Sequence, residues 1–289
     1  MSDKTELKPE LRGVLRVPQR FDDIEDLIAP DDTPSYPEKD GKDGVDELKQ
    51  EIEDELSDLQ ERLFANGRAD DEAPSVLVIL QGMDTAGKGG VIRHAFGLVD
   101  PQGIQLKAFK RPTEEELSHD FLWRIRKELP RPGMIGIFDR SHYEDVLIGR
   151  VDSLVPEKEW RARYDLINEF EAELAASGTR IIKCFLNVSH EEQGERLLAR
   201  LDNPEKYWKY NPGDVDVREK WDDYMEAYAD ALKLCNPDVA PWYVIPSDRK
   251  WYRNWAVAQL MLEELRALKL QWPEADFDVK KEKKRVANS

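Results

Sequence analysis

The sequence predicts an α/β fold, a mostly parallel sheet covered by helices on both faces. Two observations carry that expectation. From residue 75 onward, short apolar runs alternate with longer amphipathic ones, the pattern left by strand–helix–strand crossovers. A glycine-rich stretch, Gly82-Met83-Asp84-Thr85-Ala86-Gly87-Lys88-Gly89, lies between the apolar run Val76-Leu77-Val78-Ile79-Leu80 and a segment with helical spacing through Val91 and Phe96. In open parallel sheets, ligands bind beyond the C-terminal strand ends, where such a stretch falls.

Taken in order, residues 1–45 are polar and irregular, with loop signals in Ala29-Pro30-Asp31-Asp32-Thr33-Pro34 and Lys39-Asp40-Gly41-Lys42-Asp43-Gly44. This extension is expected to pack on the main domain without carrying chemistry. Leu48, Ile52, Leu56, Leu59 and Leu63 share one face of a helix over 46–66, and Gly67 is placed to end it. Strands are expected at 75–80, 104–109, 134–138, 180–188 and 242–245. Helices fill the gaps: Thr113 and Glu116 form a capping-box pattern, and Pro156 and Asp214 are helix-start signals. One domain over 46–272 is expected, followed by a basic, flexible tail over 273–289 carrying Lys280, Lys281, Lys283, Lys284 and Arg285.

Composition narrows the function classes. With 289 residues, 40% apolar and eight tryptophans, the chain can bury a substantial core. No stretch approaches the ~20 apolar residues of a membrane span, and the N-terminus has no secretory pattern. Cys184 and Cys235 lack metal or redox spacing and fit a reduced, cytoplasmic setting. The net charge of −17 argues against a nucleic-acid binder. A polyanionic substrate remains compatible, because a local basic cleft focuses its own field.

The glycine-rich stretch has the context of a Walker A phosphate loop: strand, loop, lysine, helix. Backbone N–H groups of Gly82, Thr85, Ala86, Gly87, Lys88, Gly89 and Gly90 are candidates to cradle phosphate oxygens, and Lys88 adds a full positive charge. Gly89 stands where this loop usually has a serine or threonine, so the usual hydroxyl ligand for Mg²⁺ is missing. Other oxygens must replace it. Asp84 is one candidate. Asp139 is the other, at the end of Met134-Ile135-Gly136-Ile137-Phe138, the Walker B arrangement of a carboxylate at a strand tip. The competing role for Asp139 is a helix cap. Arg140 follows it and suits phosphate oxygens.

These motifs, with Pro112-Thr113-Glu114-Glu115-Glu116-Leu117, Phe138-Asp139-Arg140-Ser141-His142-Tyr143-Glu144-Asp145-Val146, Ala240-Pro241-Trp242-Tyr243-Val244-Ile245-Pro246 and Asp248-Arg249-Lys250-Trp251-Tyr252-Arg253-Asn254, resemble the polyphosphate kinase 2 family over about residues 45–272. The resemblance implies a P-loop kinase fold like that of thymidylate kinase, with a helical lid. It implies reversible, Mg²⁺-dependent phosphoryl transfer between inorganic polyphosphate and purine nucleotides, with Mn²⁺ as the alternative ion. Asp84 and Asp139 would hold the metal, and Lys88 and Arg140 would contact phosphates. Glu144 matches a glutamate of the subgroup acting on both AMP and ADP, which places it with Arg140 at the nucleotide. The family also implies a homo-oligomer, a dimer or tetramer.

Two further groups follow from chain order. Arg196 and Arg200 share a face of the helix after the fourth strand, ahead of Asp202-Asn203-Pro204, Lys206, Lys209 and Pro212-Gly213. That places a lid at about 196–213, with Arg200, joined by Arg196, as the group closing on the transferred phosphate. A polyphosphate track is expected from Lys107, Lys110 and Arg111 at the end of the second strand, Arg93 on the helix that Lys88 opens, and Arg249, Lys250 and Arg253 after the last strand, with pairing to acidic side chains the competing role for Arg249 and Arg253 especially. The competing readings are an ATP-dependent nucleotide kinase and a non-catalytic P-loop scaffold. Retention of Lys88, Asp84 and Asp139 together weighs against the scaffold.

Overall fold

The computed structural model describes residues 10–37 and 45–289. The expected loop at 39–44 therefore lies outside the described residues. Five strands form one parallel sheet: β1 (Ser75–Gln81), β2 (Ile104–Ala108), β3 (Ile135–Asp139), β4 (Thr179–Asn187) and β5 (Trp242–Pro246), in the order β2-β3-β1-β4-β5. All five match the expected strands to within two residues. Every residue of β1 is buried, which is why its sequence reads as an unbroken apolar run rather than an alternation.

Helices connect the strands. In chain order they are α1 (Leu11–Leu15), α2 (Val45–Ala69), α3 (Lys88–His94), α4 (Glu114–Leu117), α5 (Trp123–Arg126), α6 (Glu144–Val151), α7 (Glu157–Ala176), α8 (His190–Leu201), α9 (Gly213–Arg218), α10 (Trp221–Leu234), α11 (Lys250–Ala267) and α12 (Val279–Ala287). The capping box at α4 forms as expected: Glu116 N–H donates to Thr113 Oγ1 at 3.2 Å, and Thr113 N–H to Glu116 Oε2 at 2.8 Å. Pro156 is the N-cap of α7.

Register puts the functional edge together. Leu80 of β1 pairs with Asp139 of β3 on one side and Cys184 of β4 on the other, and Ala108 of β2 is also level with Asp139. The chain leaves β1 toward an outer strand on one side and later returns to the other side. The loop after β1 therefore opens at the topological switch point, where an open parallel sheet has its crevice.

Three expectations change. Gly67 does not end α2, which continues to Ala69. The glycine is there because a Cβ on it would lie 2.3 Å from the Pro132 carbonyl oxygen and 2.5 Å from Gly133 Cα. Residues 10–37 are less irregular than their polarity suggests. Leu11 and Leu15 of α1, with Val17, Ile24 and Leu27, are buried in the main core, Arg16 bridges Tyr243 of β5, and Leu11 and Arg12 N–H donate to Glu263. The C-terminal basic segment forms α12, with no buried residue.

Candidate active site

The first cluster is built by two strand tips. β1 ends at Gln81 and runs into the glycine-rich loop, and α3 begins at Lys88. Lys88 is buried, and its Nζ donates to the carbonyl oxygens of Gly82 at 2.8 Å and Met83 at 3.3 Å. β3 delivers Asp139 beside Leu80. Since α6 starts only at Glu144, with Tyr143 at its N-cap, Asp139 is not a helix cap. Arg140 follows in the left-handed region, φ 63°, a conformation that costs a non-glycine residue on the order of 1 kcal/mol or more. Its N–H is held by Leu80 O at 3.0 Å and its Nη2 by Asp84 Oδ1 at 2.7 Å. The strained turn thus aims a guanidinium across the mouth of the loop.

The charges of this cluster depend on one another. Burial opposes ionisation of Asp84, but Lys88 and Arg140 outweigh it and hold the carboxyl below its usual range. Burial, reinforced by Arg140, lowers Lys88 against the pull of Asp84, Asp139 and Glu144. Burial also works against Arg140, yet Glu144 and Asp84 keep it firmly protonated. Glu144 moves the other way: burial raises it, against Arg140 and Lys88. Carboxyls pushed in opposite directions around common cations are one mark of a functional cleft.

Beside this cluster lies a cavity of about 190 Å³ whose walls include Asp84, Arg140, Glu144, Asp214, Tyr224 and Tyr228. Arg200 at the end of α8 reaches its rim, donating through Nη1 to Asp214 Oδ2 at 3.2 Å and to Lys209 O at 2.9 Å. Charge, a glycine-rich phosphate loop and an adjoining cavity together suit a phosphorylated small molecule.

A family model described as polyphosphate kinase 2 matches residues 42–273. The chain belongs to the polyphosphate kinase 2 family. It is 45% identical to an AMP/ADP-polyphosphate phosphotransferase of Meiothermus ruber over 94% of this chain and 96% of that protein. It is also 45% identical to an ADP-polyphosphate phosphotransferase of Rhodopseudomonas palustris, over 78% of this chain and 81% of that one. A polyphosphate kinase 2 crystal structure from Arthrobacter aurescens superposes with a TM-score of 0.92 at 48% identity, covering 97% of each chain. The chain is therefore a polyphosphate kinase of the P-loop α/β class, as its motifs suggested.

For a polyphosphate kinase the two strand-tip carboxylates are a suitable donor set for a divalent metal. Phosphoryl transfer relies on such an ion to bridge phosphate oxygens, and Mg²⁺ usually takes one or two carboxylates with phosphates and water rather than a full protein cage. No group of three or more His, Cys, Asp or Glu among the described residues could hold a metal. A Cβ at Gly89 would meet nothing within 4 Å, so the scaffold does not forbid the missing hydroxyl residue.

Several expected site residues are placed differently. Lys107 is engaged by Glu128 at 2.5 Å. Arg249 is exposed and donates to Asp31 O at 2.9 Å, and Lys250 lies 3.9 Å from Glu192. Arg253 is buried beneath the loop, not exposed on a track. Arg196 is also buried, with its guanidinium spent on Glu192 and the carbonyls of Thr85, Ala86, Ser247 and Asp248. That leaves no donor for a transferring phosphate. Arg93, Lys110 and Arg111 are exposed, without an ion pair among the described residues. Asp214 falls in the first turn of α9, as its helix-start signal led one to expect, and also holds Arg200. Gln193, Tyr224 and Tyr228 were not anticipated: each lies on an amphipathic helix where its spacing signals only burial. No helix among the described residues is long and apolar enough to cross a membrane.

Proposed function

We propose that this chain transfers a phosphoryl group between inorganic polyphosphate and purine nucleotides, taking AMP to ADP and ADP to ATP reversibly, with Mg²⁺, or Mn²⁺ in its place, held by Asp84 and Asp139. The observation that carries the reading is the phosphate loop with Lys88 buried within it and the Arg140–Asp84 pair at its mouth, next to the Glu144 cavity. The near full-length similarity to an enzyme named for both AMP and ADP supports the acceptor choice.

The chemistry follows from the charges. A terminal oxygen of the nucleotide phosphate attacks the terminal phosphorus of the polyphosphate. The bridging P–O bond breaks, and the shortened polyphosphate leaves with the electron pair. At neutral pH the attacking oxygen is already substantially ionised, so no general base is needed and none of the carboxylates is assigned that task. The barrier lies in bringing two polyanions together in line. Lys88 and Arg140 offset that repulsion, Arg200 at the cavity rim adds positive charge as the lid closes, Asp84 holds the Arg140 guanidinium, and Glu144 faces the nucleotide. The metal, when bound, neutralises charge on the transferred group. A cytoplasmic homo-oligomer is the expected setting.

A donor screen tests the assignment. Purified protein with Mg²⁺ is given AMP or ADP and either polyphosphate or a nucleoside triphosphate. Polyphosphate-dependent formation of ADP and ATP is expected. Turnover of AMP with a nucleoside triphosphate, and none with polyphosphate, would instead identify an ATP-dependent nucleotide kinase.

A further inference from the structure

At the phosphate loop, side chains of two helices that do not line the cavity take up its carbonyls in succession. Gln193 Nε2 on α8 donates to Asp84 O at 3.2 Å. Arg196 Nη1, one turn further along, donates to Thr85 O at 2.9 Å and Ala86 O at 3.2 Å. Arg253 Nη1 on α11 donates to Ala86 O at 3.0 Å. In a trans peptide the carbonyl and the following N–H point in opposite directions. Holding these three carbonyls outward therefore turns the N–H groups of Thr85, Ala86 and Gly87 inward. Ala86 N–H is taken by Met83 O at 3.1 Å, while those of Thr85 and Gly87 make no hydrogen bond among the described residues.

Arg253 is the unusual member. Its guanidinium fits under the loop only because Gly87 and Gly90 lack side chains: a Cβ would lie 1.9 Å from Nη1 at Gly87 and 2.6 Å from Nη2 at Gly90. Its other polar contacts are to the neutral Asn254 amide oxygen, at 3.2 and 2.9 Å. Among the described residues no carboxylate lies within ion-pair distance of it; Glu192, the nearby acid, is bonded to Arg196 instead. Burial, reinforced by Arg196, lowers Arg253 to about 9 against the weaker pull of Glu192. A buried cation with only neutral partners is costly, and structures retain such groups where a ligand completes them.

We propose that Arg253 is a positioning residue whose unpaired buried charge is complemented by the phosphate chain in the loop, and which, with Arg196 and Gln193, holds the loop open for that chain before it arrives. The inference rests on the loop being the phosphate site of the proposed function. It assigns Gly87 and Gly90 a second task, making room for an arginine from below as well as for phosphate from above.

The test compares wild type with Arg253→Gln and Arg253→Lys, by thermal unfolding with and without inorganic tripolyphosphate and by kinetics. For Arg253→Gln a ligand-free Tm at or above wild type is expected, with most of the tripolyphosphate-induced rise lost and binding weakened on the order of tenfold. Arg253→Lys, which keeps the charge, should recover most of the rise. A ligand-free Tm well below wild type with the full rise retained would make Arg253 a purely structural strut and overturn the proposal. If Arg253→Gln does not fold, Arg253→Lys decides: a rise near that of wild type supports the charge role, and loss of the rise overturns it. Should wild type respond to ATP but not to tripolyphosphate, the polyphosphate assignment fails, and the same comparison run with ATP still decides the role of Arg253.

Discussion

At the scale of single residues, Asp139 and Glu144 are the carboxylates of the proposed site whose substitutions are expected to fail differently. Asp139 is the last residue of β3 and is not a cap, so Asp139→Asn should fold normally and lose turnover on the order of a hundredfold or more. Near-normal turnover in a folded variant, measured at ordinary Mg²⁺, rules out its metal role. Glu144 is the opposite case to Asp84. Because burial raises its pKa, its contribution to stability is fully present below the ordinary glutamate range and is lost as pH rises through the raised value. At neutral pH Glu144→Gln should therefore leave Tm at or above that of wild type, with the difference vanishing in acid, while nucleotide KM rises. A variant less stable at neutral pH than wild type contradicts this sign. Much of this was legible beforehand: Gly82 to Lys88, Asp139 and Arg140 announce themselves by order and by strand context. The placement of Arg253 and Lys107 was not, because a basic residue near a strand end reads the same whether it faces solvent, an acid such as Glu128, or the underside of a loop.

Between elements, the important joint is the one from α8 to the phosphate loop. Its N-terminal part is locked to the loop by Gln193 and Arg196, while its C-terminal residue pair, Arg200 and Leu201, leads into the exposed segment Pro204–Lys209 and to α9. A helix fixed at one end and free at the other carries Arg200 on its free end, held among the described residues by Asp214 and the Lys209 carbonyl. The Lys209 carbonyl contact is exposed and open to exchange for phosphate oxygens, whereas the Asp214 contact is part-buried. Arg200→Ala should accordingly lower kcat by ~100-fold or more with a smaller change in substrate KM, and steady-state kinetics will show it; an unchanged kcat/KM removes Arg200 from the transfer step. Periodicity put Arg196 and Arg200 on one face of α8, but one turn of helix separates a buried clamp from a half-buried arm, and periodicity does not resolve that distance. Gly67 teaches the same lesson: the local signal reads as a helix end, and the cause, Pro132 and Gly133, lies far along the chain.

Over the whole molecule, a protein of net charge −17 is proposed to bind a long polyanion. At long range the net field repels the substrate, so binding must come from short-range contacts inside the cleft, where low-dielectric walls strengthen them. The candidates for a track reduce to the cations left exposed and without an ion pair among the described residues: Lys110 and Arg111 after β2, and Arg93 on α3. Parallel strand direction puts the end of β2 on the edge from which the phosphate loop opens, with Ala108 level with Asp139. Lys107, Arg249 and Lys250 are partly committed to Glu128, Asp31 O and Glu192, and Arg253 acts from below. Polyphosphate carries about one negative charge per unit, and each contact releases condensed counterions, as on a nucleic-acid backbone. KM for polyphosphate should therefore rise steeply with ionic strength, and KM for the nucleotide, held largely inside the screened cavity, should rise less. Lys110→Ala and Arg111→Ala should each raise the polyphosphate KM and flatten its salt dependence by about one ion per charge removed. Steady-state kinetics at a series of salt concentrations reads both quantities together. If those substitutions leave the polyphosphate KM and its salt slope unchanged, the chain of phosphates leaves the loop by another route, and Arg93 with the partly committed cations after β5 becomes the path to test.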